Sequence, residues 1–120
     1  MSDDSNEDAV DAYIAGFDGP AGDALNAIRT MIRSLLPEAQ HVISYAIPTI
    51  KVDGQSVVHF AGWAKHISVY PVPRSDAALL TELDPYVSGK GTLAFPLKNP
   101  IPLDLICRTV HTLAEERRSN

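Results

Sequence analysis

Leu25, Ile28, Ile32 and Leu35 recur at spacings of three and four, which predicts a helix over residues 21–36 with Arg29 and Arg33 on its other side and Pro37 as its stop. Ahead of it, Ser5-Asn6-Glu7-Asp8 reads as a capping box that opens a short helix over 6–15, ended by Gly16. From Val42 the pattern changes to short β-rich runs separated by turn residues. Asp53-Gly54 has the chemistry of a two-residue type I′ turn, and Gly62-Trp63 that of a type II′ turn. Three antiparallel strands follow, over 42–52, 55–61 and 64–71. Ser75 then reads as the N-cap of a helix over 76–87 carrying Ala78, Leu79 and Leu83. "KGTLAF" at 90–95 is one more strand, and Asn99-Pro100-Ile101-Pro102 leads into a last helix with Ile106, Val110 and Leu113 on its apolar face. The expected fold is α+β: an antiparallel sheet made of a three-strand meander plus one later strand, with helices packed mainly on one face.

The two turns set a register, and the register sorts the side chains. A two-residue turn at Gly62-Trp63 places His59 opposite His66 and Val58 opposite Ile67. Counting back through Asp53-Gly54 places His59 opposite Pro48 and Phe60 opposite Ile47. One face then carries Tyr45, Ile47, Val58, Phe60, Ile67 and Val69 and is expected to meet the helices. The other collects Pro48, Ile50, Val57, His59, His66, Ser68 and Tyr70, a mixture of apolar surface and convergent polar groups suited to a ligand or a protein contact. The expected binding residues are Pro48, His59, His66, Ser68 and Tyr70. A three-residue turn through Ala64 would instead pair His66 with Phe60 and divide the apolar set between both faces, so the two-residue turn is preferred.

Charge narrows the partners. The chain of 120 residues carries a formal charge of −5, and Asp3, Asp4, Glu7, Asp8 and Asp11 account for it before residue 12. This suggests an acidic N-terminal segment, 1–9, partly disordered, ahead of a single domain over 10–120. The absence of a basic stripe argues against nucleic acid. The opening MSDDSNED has no signal-peptide character, and no run approaches a membrane span, so a cytoplasmic protein is expected. The one cysteine, Cys107, excludes an intramolecular disulfide.

Sites of known chemistry are mostly refused. "SGKGT" at 88–92 lacks the first glycine of a phosphate loop, since residue 84 is Asp84, and it precedes a strand where that loop must open a helix. Ser68 has His66 nearby but no carboxylate to orient it and no nucleophile elbow. Neither H-x-H, H-E-x-x-H nor an EF-hand loop occurs, and the expected His59/His66 pair alone would bind a metal weakly. No nucleophile and base pair can be named, so a non-enzymatic binding domain is the first expectation and an uncharacterised enzyme the weakest alternative, with a small molecule or a protein as partner and a monomer or homodimer as its state.

Three blocks, "YAIPTI" (45–50), "KHISVYP" (65–71) and "KGTLAFPLKNPIPLDLI" (90–106), resemble in order and spacing the YdhG-like family of small bacterial domains. Tyr45, Pro48, His66, Tyr70, Pro71, Lys90, Gly91, Phe95 and Pro96 stand at the family's motif positions. The resemblance covers about residues 10–117. It implies the family's fold and, through one branch described as intracellular iron chaperones of frataxin-like function, iron as cargo. The matching residues are poor iron ligands, so no ligand set is carried over, and hard oxygen donors such as the N-terminal carboxylates would have to contribute.

Overall fold

The structure, a computed structural model, describes the backbone of residues 2–118 and the side chains of residues 7–118. Its elements in chain order are α1 (Ser2–Ala15), α2 (Gly19–Leu35), β1 (Gln40–Ser44), β2 (Ile47–Val52), β3 (Gln55–Gly62), β4 (His66–Tyr70), α3 (Ala77–Leu83), a 3₁₀ turn (Asp84–Tyr86), β5 (Leu93–Pro96) and α4 (Leu103–Arg118). The sheet is antiparallel throughout, in the order β1-β2-β3-β4-β5. The α+β class is as expected, but the first expected strand is two. Tyr45 and Ala46 both adopt positive φ, 56° and 67°, and make a tight turn between β1 and β2. No glycine or asparagine marks that turn, which is why the sequence reads as one strand.

The core lies between the sheet and the helices. Leu25, Ile28 and Ile32 of α2 and Ile106, Val110 and Leu113 of α4 are buried with Ile50, Val58, Phe60, Ile67, Val69, Leu93 and Phe95 of the sheet. Two glycines permit this packing by close approach. A Cβ at Gly22 would lie 2.4 Å from the Phe17 carbonyl oxygen, and one at Gly62 would lie 2.9 Å from both Leu25 Cδ1 and Phe17 Cε2. Gly62 is therefore a strand residue making room for the helices, and its backbone N–H donates to the Tyr13 hydroxyl at 3.1 Å. No helix among the described residues is long and apolar enough to cross a membrane.

Several local expectations are corrected. The helix of α1 already runs through residue 5, so Ser5 does not open it, and the side chains of residues 1–6, including Asp3 and Asp4, lie outside the described residues. Arg29 is 7% exposed and faces α1, where its guanidinium donates to Glu7 at 2.6 Å and to Asp11. Asp76, and not Ser75, caps α3, accepting the Leu79 N–H at 3.0 Å. His41 is in β1, 2% exposed, with a buried Nδ1 that has no hydrogen-bond partner among the described residues.

Candidate functional site

Register again decides which side chains share a face. The β3–β4 hairpin pairs His59 with Tyr70, Ala61 with Ser68 and Gly62 with Ile67, and the Trp63 N–H donates to the His66 carbonyl at 2.9 Å. The turn is thus Ala64-Lys65, two residues further along than expected, because Gly62 is held in the strand beneath Leu25 and Phe17. A turn displaced by two residues keeps every side chain on its expected side. His59, His66, Ser68 and Tyr70 do share one face, away from Val58, Phe60, Ile67 and Val69. The expected His59/His66 pair is not formed, since His59 faces Tyr70 and His66 faces Trp63.

The β2–β3 hairpin departs in the other way. Asp53-Gly54 is the expected turn, with φ of 53° and 80°. Beyond it Lys51 pairs with Ser56 but Ile50 pairs with Val58, so Val57 is an additional residue on β3 and the ladder is offset by one. That offset reverses β2. Pro48 and Ile50 are buried on the core side, and Ile47 and Thr49 lie on the face of His59. Val57, expected beside His59, is in the core with Val58. Pro48 therefore leaves the group of candidate binding residues. Tyr45 leaves the expected core face and stands 89% exposed at its turn.

The face opposite the helices now has a definite chemistry. Three rings cross it in a row: Tyr45 and His59 meet edge-on at 6.2 Å between centroids, and His59 and Tyr70 are perpendicular at 6.3 Å. Trp63, 48% exposed, stacks on His66 at 6.0 Å and 16°. Between them lie the small buried side chains of Ala61 and Ser68. From Ile47 to Pro96 across the four strands β2 to β5, this side carries no charge until Lys51 at the far end of β2. Sequence reasoning did not place Tyr45, Thr49 or Trp63 in the site: Tyr45 stood among the motif positions and Trp63 at an expected turn, and nothing marked Thr49.

His59 is fixed from beneath. Its Nδ1 is 2.8 Å from Thr49 Oγ1, and the Thr49 hydroxyl is 3.2 Å from the Ile47 carbonyl oxygen. One hydroxyl proton serves the carbonyl, which assigns the neutral imidazole a proton on Nδ1, donated to Thr49, and leaves Nε2 as an acceptor. Burial holds the His59 pKa below the usual histidine value, and the positive charge of Arg117 lowers it further. Burial raises the pKa of Tyr70. His59 and Tyr70 are therefore uncharged at neutral pH, and the row offers ring surface with a hydrogen-bonding imidazole at its centre.

Elsewhere, two carboxylates of α1 are engaged. Glu7 bridges Arg29 and Arg33, and Asp11 pairs with Arg29. No group of three or more His, Cys, Asp or Glu among the described residues is placed to hold a metal ion.

These features define a small α+β domain with a five-stranded antiparallel sheet, helices against one side and aromatic and imidazole rings on the other. No protein-family model and no curated protein matches the sequence. The crystal structure of YdhG from Bacillus subtilis, a protein of the DUF1801 family, is similar, with a TM-score of 0.74, 17% identity and coverage of 92% of each chain. The likeness is one of fold, and it is the YdhG-like fold that the three sequence blocks implied.

Proposed function

We propose that the chain is a non-enzymatic binding domain whose ring-bearing sheet face receives a protein partner. The observation that carries this reading is Tyr45: a large aromatic side chain held almost wholly in solvent, on a turn whose backbone disfavours any side chain. Left-handed backbone at a residue other than glycine costs about 1–2 kcal/mol and persists where the surroundings or a function maintain it. Exposed Tyr and Trp beside uncharged, partly buried rings have the composition of an interface centre. An uncharged patch of this kind favours an occupant that is itself apolar, with hydrogen-bonding groups for His59 and Tyr70.

Native mass spectrometry of the protein isolated from the cells that make it, beside a Tyr45→Ser/Trp63→Ser variant, tests the proposal. The wild type is expected to retain a protein species, a second copy of the chain included, that the variant loses at an unchanged melting temperature. A small molecule retained in place of a protein would replace the partner by a ligand. The same partner held by both forms would overturn the assignment of the face.

A further inference from the structure

A cavity of about 650 Å³ lies on another side of the molecule, between the last turns of α4 and the segment that follows β4. Its apolar floor is Val57, Val72 and Leu113, and its polar wall includes Arg74, Arg117, Glu115 and Glu116. The volume is in the range of small-molecule sites, and so is the mixture of an apolar base with a few directed polar groups.

The wall carries two arginines and two carboxylates, and it is the carboxylates that are engaged: Glu115 lies 3.4 Å from Arg118 Nη1. One oxygen of Glu116 accepts the backbone N–H groups of Arg74 and Ser75 at 2.7 and 2.8 Å and the Ser75 hydroxyl at 2.8 Å. That carboxylate is therefore engaged by the loop itself. The guanidinium of Arg74 makes no hydrogen bond or ion pair among the described residues, although its charge favours the Glu116 carboxylate. Among the described residues Arg117 commits only its Nε, to the Ser56 carbonyl at 2.8 Å, and both terminal nitrogens are left as donors. Two partly unused guanidinium forks thus border an apolar floor.

We propose that this cleft is a binding site for a small carboxylate with an apolar body, its carboxylate held by Arg74 and Arg117 and its body resting on Val57, Val72 and Leu113. The planar fork of arginine matches a carboxylate in two parallel hydrogen bonds. A single negative charge is favoured over the double charge of phosphate because Glu115 and Glu116 already place two carboxylates in the same wall. The site is separate from the ring-bearing face, and either can fail without the other.

Amide NMR of the full chain, titrated with sodium phenylacetate at constant ionic strength, tests it. Saturable shifts are expected at residues 71–75 and 113–117, with a dissociation constant of about 1–10 mM for so small a probe. Arg74→Gln and Arg117→Gln should each weaken binding roughly fivefold or more while leaving the remaining spectrum in place. Benzyl alcohol and inorganic phosphate, tested separately, should bind more weakly than phenylacetate. Shifts that do not saturate, that persist in both variants, or that are matched by phosphate would overturn the proposal.

Discussion

Tyr45 and Ala46 show how much a single backbone dihedral can hide. Asp53-Gly54 and Tyr45-Ala46 are both two-residue turns with positive φ, yet only the first was readable, because aspartate and glycine tolerate that region and tyrosine and alanine do not. The cost of the second turn can be measured. Ala46 has φ of 67° and an exposed side chain, so Ala46→Gly is expected to raise stability by about 0.5–1 kcal/mol, read as a higher urea midpoint at unchanged slope. An unchanged or lower midpoint would show that the turn is not strained at this position.

Among the elements, the helices were the more legible because their contacts follow from periodicity. The apolar faces of α2 and α4 are buried as expected except for Leu35, which is half-buried at the end of α2. Periodicity could not place Arg29, since its partner surface exists only after α1 packs beside α2. Arg29 gathers Glu7 and Asp11 from α1 into one cluster with Arg33. Replacing Arg29 by Leu removes the cation that tethers two carboxylates of α1. The arginine is buried but its partners are about half exposed, so the expected loss is about 1–2 kcal/mol, between the surface and buried limits. Hydrogen exchange should quicken in residues 7–15 more than in the strands. A uniform increase across the chain would assign the loss to global stability instead. In the sheet, alternation located the strands but not their offsets: the turn at Ala64-Lys65 moved by two residues and preserved the sides, whereas one additional residue at Val57 exchanged them for Pro48 and Ile50. Most of the candidate face was therefore legible, and its register was not.

For the whole molecule, acidity should act in two stages. Burial holds His41 below 6.5, with Arg33 and Arg29 lowering it further against the opposing charge of Glu7, and His59 is lowered from the same value by burial and Arg117. As pH falls below 6.5 the unfolded chain binds protons that the folded chain refuses, so stability declines until the folded histidines protonate too. Glu7 and Glu116 behave as carboxylates held low. Burial raises both, but the hydrogen bonds to Arg33 and Arg29, or to the Arg74 and Ser75 segment, outweigh it. Their stabilising contribution is complete above 4.5 and is lost as pH falls through their lowered values. Thermal unfolding should therefore show a steady melting temperature above about pH 7, a first decline below 6.5 and a second below 4.5. A His41→Leu variant should flatten the first decline, and an equal decline in that variant would remove His41 from the account. At this scale the Val57 bulge also bears on how the chain tolerates a change of length. Val57 has no partner of its own in the ladder, because Ser56 already faces Lys51 and Val58 faces Ile50. Losing its codon would join two pairs that are already in step and sacrifice one valine from the core, whereas losing a codon elsewhere in β3 would turn half the strand over. Heritable shortening of this hairpin therefore has a single permissive point, set by backbone pairing and independent of which side chains the neighbouring positions carry.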